Sequence, residues 1–186
     1  ARSAGRISPR AELLPIRTRQ RTLAGMRILL ALGLAACVLI VPAFARELGW
    51  GRYDNARFGY VAGIPPGFSG YGESDNGDGQ IFDDSAKGQV LSFWGSRLAE
   101  ESFEEAVKAR VGYTERDGWN IAAQTVTPRW ANFSGVLGQR MFNARMILLC
   151  DGQSYAVMTV QYSVIHAGVM QDRLPQLEDM FRARGC

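Results

Sequence analysis

Residues 119–162 read WNIAAQTVTPRWANFSGVLGQRMFNARMILLCDGQSYAVMTVQY, and this stretch decides the fold. It holds four runs rich in branched and aromatic residues, Trp119–Thr127, Trp130–Leu137, Arg140–Cys150 and Tyr155–Tyr162, which predict strands. In the first run Ile121, Ala123, Thr125 and Thr127 share one face, because successive strand side chains point to opposite sides. Gly138 separates the middle runs, and Asp151-Gly152 separates the last two. An Asp-Gly pair between apolar runs is a hairpin signal, since both residues accept the positive φ of a tight turn. Strands joined this closely pair antiparallel, because a parallel pair needs a long crossover.

Upstream, Ser102-Phe103-Glu104-Glu105 is a capping box, in which the serine hydroxyl accepts from the free N–H of Glu105. Phe103, Ala106, Val107, Arg110 and Val111 then follow helical spacing with a narrow apolar stripe. The helix ends by Gly118 and is expected to lie on a sheet. Earlier still, Val90–Trp94 and Gln80–Asp83 predict strands around a turn at residues 84–88. Phe58–Ala62 predicts a first strand, closed by Ile64-Pro65-Pro66-Gly67, and the Gly-rich, polar residues 69–79 predict a loop. Downstream, a last helix is expected over Pro175–Ala183, with Leu177, Met180 and Phe181 inward. The order β-β-β-α-β-β-β-β-α implies an α+β fold: one largely antiparallel sheet covered by two helices.

The chain has 186 residues and a formal net charge of +3, which suggests a polyanion partner. The distribution argues otherwise. Residues 1–45 hold seven arginines and one acid, Glu12, so residues 46–186 hold 14 basic and 17 acidic side chains. The domain is mildly acidic, and nucleic acid binding lacks the clustered Lys and Arg it needs. Ile28–Ala45 is an uncharged apolar run behind Arg27, and Ala43-Phe44-Ala45 has the small residues of a signal peptidase site. These features predict a signal peptide at 26–45, cleaved between Ala45 and Arg46; residues 1–25 are either a start-site artefact, with Met26 as the true start, or a disordered Arg-rich extension. Two other readings stand beside it. Leu34-Ala35-Ala36-Cys37 resembles a bacterial lipobox, and eighteen apolar residues also meet the minimum for a membrane anchor. Contact with a membrane would then run through this segment alone. Residues 46–186 form the exported α+β domain.

Three stretches carry candidate chemistry. Ser74-Asp75-Asn76-Gly77-Asp78-Gly79 has part of a calcium-loop spacing, but Ser74 and Ser85 stand where a calcium loop needs acids. The same residues also suit a turn, with Asn and Asp supplying the geometry. His166 is the one histidine, so any Ser-His-Asp or Cys-His arrangement would have to use it. Asp83-Asp84 and Glu100-Glu101 with Glu104-Glu105 are acidic pairs of the kind a glycosidase sets across a cleft. In the helix the acids favour the positive end of the dipole instead. No stretch assembles a catalytic or metal-ligating set, and no cofactor is expected. Trp94, Trp119 and Trp130 are candidate interaction aromatics, since an exposed Trp anchors interfaces.

Two short motifs, Tyr53-Asp54-Asn55-Ala56-Arg57-Phe58-Gly59 and Asn76-Gly77-Asp78-Gly79-Gln80-Ile81-Phe82, resemble a group of uncharacterised exported bacterial proteins. The strand pair joined by an Asp-Gly turn ahead of a C-terminal helix belongs to the same resemblance. The element order is similar to the wider PsbP-like superfamily, which includes photosystem extrinsic subunits, DcrB-type periplasmic lipoproteins and a Ran-binding import factor. The resemblance covers residues 53–183 and implies a protein-binding or complex-stabilising module without a shared active site.

Of the three cysteines, Cys37 lies in the targeting segment. Its removal leaves Cys150 and Cys186 as an even pair in an oxidising compartment, which predicts a disulfide. The expected function is a non-enzymatic periplasmic or secreted domain that binds a protein or an envelope component. A small-molecule or calcium-binding module, or a hydrolase, stands as the alternative. An exposed apolar sheet face would favour the first reading. A deep pocket gathering Asp75, Asp78 and Asp83 would favour the second, and His166 beside a Ser and a carboxylate the third.

Overall fold

A computed structural model describes residues 49–186 of the chain. The expected signal peptide, Cys37 and the Ala45–Arg46 junction lie outside the described residues. The elements run β1 (Gly51–Asn55), β2 (Tyr60–Ile64), β3 (Ser69–Glu73), β4 (Gly79–Asp84), β5 (Gln89–Arg97), α1 (Phe103–Arg116), β6 (Asn120–Val126), β7 (Trp130–Leu137), β8 (Arg140–Leu148), β9 (Ser154–Ser163), α2 (Ala167–Met180) and β10 (Arg182–Ala183). All strand pairs are antiparallel. The fold is α+β, with two helices among the described residues.

The meander of residues 119–162 supplies β6 to β9, with one correction: a bulge between Ile121 and Ala123 puts Ile121 on the α1 side and Ala123 and Thr125 on the other, so these residues do not share one face. The single sheet expected from the sequence is corrected to two. Seven strands pair in the order β3-β4-β5-β9-β8-β7-β6, and β1, β2 and β10 form a separate three-stranded sheet. The small sheet exists because β2 is buried at every position, so it needs cover on both sides. Tyr60, Ala62 and Ile64 pack into the core against Leu91, Phe93 and Met158 of the large sheet. On the other side a Cβ at Gly63 would lie 2.5 Å from Met180 Sδ of α2, so only glycine lets the helix come this close.

Alternation gives the large sheet two different faces. Leu91, Phe93, Ala156, Met158 and Val160 point toward the small sheet and α2. Phe133, Phe142, Ala144, Met146 and Val157 point the other way, toward Phe103, Val107 and Val111 of α1. Ser102 Oγ accepts from Glu105 N at 3.2 Å, the cap read from the sequence, while the Glu105 carboxylate turns to Lys108 Nζ at 3.4 Å instead of back to the cap.

Four elements differ from expectation. β1 and β10 are strands that the expected order lacks, and β10 stands where the expected last helix would end. Residues 69–73 are a strand, not a loop. β3 is an edge strand exposed along its whole length, so no apolar alternation marks it. The last helix begins at Ala167, eight residues before Pro175, which sits inside it. Pro175 removes one backbone donor, but it lies on the exposed side, where water reaches the freed carbonyl. Met170, fully buried in the first turns, is the anchor that the proline obscured.

Candidate functional site

The two short motifs meet in space and form one polar junction. Asn55, fully buried at the end of β1, donates from its amide to Glu73 Oε1 (3.0 Å), the Tyr53 hydroxyl (3.0 Å) and the Gly77 carbonyl (2.8 Å). Its own oxygen accepts from Phe58 N at 2.8 Å. Tyr53 donates to Glu73 Oε1 at 2.7 Å, and Tyr60 donates to the Asp78 carbonyl at 3.2 Å. Burial, then the nearby Tyr53 hydroxyl, pushes the Tyr60 pKa up, so this group stays a donor at any physiological pH. Phe58 covers Gly95 so closely that a Cβ there would lie 2.4 Å from the ring. The junction thus pins the β1–β2 turn of the small sheet to the β3–β4 hairpin of the large one.

That geometry decides how the loop 74–79 is used. The Asp78 carboxylate pairs with Arg57 Nη1 at 2.7 Å, and the same guanidinium donates to the Asn76 carbonyl. The Asp78 carbonyl accepts from Gly95 N at 2.9 Å. Gly77 turns the chain at φ 70°, a region that costs glycine nothing. A cation would need these same oxygens, which protein donors already occupy.

The remaining candidates separate. Asp83 and Asp84 are adjacent on β4 and face opposite sides, so they cannot face each other across a cleft. Asp84 is buried beside the Lys87 ammonium, which holds its carboxyl below the usual range against the upward push of burial. Glu104 and Glu105 sit in the first turn of α1, where the dipole favours them. His166 precedes α2 and does not cap it through its ring. Among the described residues no three His, Cys, Asp or Glu side chains gather as a metal-binding group. Cys150 and Cys186 stand at disulfide distance, with Cα atoms 5.7 Å apart. They tie the C-terminus, where β10 pairs with β2 and Arg184 N donates to the Gly59 carbonyl, to the end of β8.

The three candidate tryptophans part company as well. Trp119 packs edge-on against Phe142 at 5.0 Å, in the cluster beneath α1. Trp130 lies on the opposite face, under the Arg145 guanidinium at 5.0 Å. Arg145 in turn pairs with Glu178 of α2 at 3.3 Å. Both residues serve packing. Trp94 alone lines an open groove of about 650 Å³, together with Tyr71, Ile81, Ser92 and the tip residues Ser74, Asn76 and Asp78.

A width argument explains the groove. Seven strands at about 4.8 Å spacing make a sheet roughly 30 Å wide, and one helix is only about 10–12 Å across. α1 covers β7, β8 and β9, reaching β6 only at Ile121, and β3, β4 and β5 keep that face open. Tyr71 is 73% exposed and Ile81 51%, both on the open side. Trp94 is held rigid at the helix boundary by Arg110, 5.1 Å above its ring, and by Tyr155 edge-on at 5.8 Å. Tyr71 and Ile81 were missed in the sequence, though one signal was there. Ile81 and Phe82 are consecutive, as are Phe93 and Trp94, so one member of each pair must face away from the core.

Solved structures share this architecture. The crystal structure of the Ran-binding protein Mog1p of Saccharomyces cerevisiae is similar, with a TM-score of 0.54 and 12% identity, covering 72% of this chain and 95% of Mog1p. The solution structure of PsbP (CyanoP) from Synechocystis sp. PCC 6803 is similar with a TM-score of 0.57 and 12% identity, covering 73% of this chain and 92% of that one. Likeness at this identity shows a shared PsbP-like and Mog1-like fold. No protein-family model matches the chain, and no match is found among curated proteins.

Proposed function

We propose that this chain is a non-enzymatic domain of the cell envelope that docks a protein or an envelope component on the open face of β3, β4 and β5. The observation that carries this reading is the groove between Tyr71 and Trp94, floored by Ile81. Water covers these apolar side chains at a cost of about 25 cal/mol per Å², so a partner that removes it gains affinity. Aromatic side chains supply that area with little loss of rotamer freedom, which suits a recognition surface. Export is supported by the apolar run behind Arg27 and by the Cys150–Cys186 pair, which would persist only in an oxidising compartment. The acids and the histidine are spread over separate places, which gives a hydrolase reading no constellation to use.

The test is site-specific photo-cross-linking in the cells that make the full chain. A photoreactive residue replaces Ile81 in one strain and Gln124 of β6 in another. Both positions are exposed, so neither change should disturb folding. A discrete adduct from position 81 and none from position 124 is expected. Equal labelling at both positions, or none at either, overturns the reading.

A further inference from the structure

We infer that the partner presents a basic segment carrying an apolar side chain, which seats between Tyr71 and Trp94; this rests on the docking face proposed above. Charge distribution carries the inference. Residues 58–86 contain five acids, Glu73, Asp75, Asp78, Asp83 and Asp84, and no Lys, Arg or His. The two nearest bases bracket the segment and are already used, Arg57 on Asp78 and Lys87 on Asp84. Glu73, Asp75 and Asp83 therefore have no ion-pair partner among the described residues. Residues 46–186 carry three more acids than bases, so this one hairpin accounts for the domain's whole excess of negative charge.

The carboxylates of Asp75 and Asp83 lie beside the groove, while Glu73 turns to Tyr53 and Asn55. Asp75 is exposed at the hairpin tip, between the lining residues Ser74 and Asn76. Asp83 stands on the open face of β4, two residues along from Ile81, and its carboxylate holds the Tyr71 hydroxyl above its ordinary pKa. The groove is thus an apolar slot with carboxylates on its hairpin side. Arg110, at the helix side, is stacked on Trp94 and fixes the other wall. An acidic segment would meet repulsion along the hairpin, and a basic one is steered in.

The strand edge itself is a poorer partner than the face. Its pairing with β4 shifts register between Gly70 and Glu73, and Gly72 takes φ 94°, so the outer row of β3 backbone groups is not a regular template. Side-chain docking on the face, rather than addition of a strand, fits these facts.

The test uses isotope-labelled protein purified in the form the cell leaves it, followed by amide chemical-shift mapping. Three probes are titrated: acetyl-Lys-Phe-Lys-Val-Lys-Phe-amide, the same peptide with Glu in place of each Lys, and the neutral oligosaccharide chitotriose. The basic peptide should shift the amides of Tyr71, Ile81 and Trp94 saturably, and more weakly as salt rises. Joint Asp75→Asn and Asp83→Asn substitution should weaken it about fivefold, the share of two exposed ion pairs. Ile81→Lys should abolish it, and both variants should melt like the parent, since these positions are not buried. Equal or tighter binding of the acidic peptide or of chitotriose on the same amides overturns the inference and leaves the docking face standing. If no probe shifts those amides while the position-81 adduct forms in cells, the inference is again overturned and the face stands. If neither occurs, both fall.

Discussion

Replacing Asn55 tests the claim that the two motifs form one structural junction. Asn55 is wholly inaccessible and joins four groups from three segments: Tyr53, Phe58, Glu73 and Gly77. In Asn55→Ala, Glu73 Oε1 keeps Tyr53 at 2.7 Å but loses a second donor, and the Gly77 carbonyl and the Phe58 N–H lose this partner. A hydrogen bond to a charged group contributes about 1.5–3 kcal/mol and a neutral one about 1, so a loss of about 3–4 kcal/mol is expected. For a domain of this size that lowers the melting temperature by roughly 10 °C. Asn55→Asp sharpens the test, because it keeps the shape and turns the donor into an acceptor beside the Glu73 carboxylate. Burial and that neighbour raise the folded pKa of the introduced carboxyl above its unfolded value of about 3.9. The variant's penalty is then absent below the unfolded value and grows to its full size as pH rises through the folded one. Urea melts near neutral pH and near pH 4, each compared with the parent at the same pH, should show a deficit that shrinks in acid. A loss under about 1 kcal/mol in Asn55→Ala, typical of a surface site, would refute the junction, as would an Asn55→Asp deficit that does not change with pH.

Three further outcomes are expected. Joint Cys150→Ser and Cys186→Ser substitution should destabilise the domain by about 4 kcal/mol at most, the chain-entropy value for a closed loop of about 37 residues; identical melts, or two titratable thiols in freshly isolated parent protein, would count against the bridge. Millimolar calcium and a chelator should give coincident melts, because the Asn76, Gly77 and Asp78 oxygens of loop 74–79 are taken by Arg57, Asn55 and Gly95; an upward shift with calcium that Asp78→Ala abolishes would reverse that reading. The lowered folded pKa of Asp84 means its stabilisation is fully present above the unfolded value of about 3.9 and is lost as pH falls through the folded one. Lys87→Met should therefore melt lower than the parent at neutral pH and converge with it in strong acid, and equal melts at neutral pH would exclude the pair as a stabiliser.

The sequence was most legible where one physical rule dominated. The strands β7 to β9 alternate because one face lies under α1 and the other under a second layer, so period two is written into nearly every residue, whereas the edge strand β6 is exposed on both faces and bulged at Ile121–Ala123. The α1 cap was legible because Ser102 and Glu105 act locally. The disulfide was legible from cysteine arithmetic and needs no topology. Where rules competed, the reading slipped. Pro175 read as a helix start, because proline suits the first turn, but the chain leaves β9 through a short turn and enters the helix at Ala167 with no capping side chain. β3 is exposed on both faces and carries no pattern at all. β10 is two residues long, and only its pairing with β2 makes it a strand. The second sheet was invisible for the same reason, since local sequence does not report which strands pair.

The candidate site escaped the sequence for a deeper reason. The motifs that stood out, Tyr53 to Gly59 and Asn76 to Phe82, bind each other: Asn55 holds Gly77, Arg57 holds Asp78, and Tyr60, one residue beyond the first motif, holds Asp78 through its carbonyl. A motif whose residues satisfy one another has no bonding capacity left for a ligand, so its presence reports the fold. Residues free to act are those that the fold does not use, and such residues leave no pattern. Tyr71 lies outside both motifs, and Ile81, though inside the second, takes no part in the bonds between them. Both could be polar without loss to either core cluster, since neither belongs to one. Exposed apolar side chains such as Tyr71 and Ile81 on an uncovered sheet face add little to folding and raise the tendency to associate. On the proposed reading a partner covers them, and the carboxylates of Asp75 and Asp83 beside them restrict which partner that is.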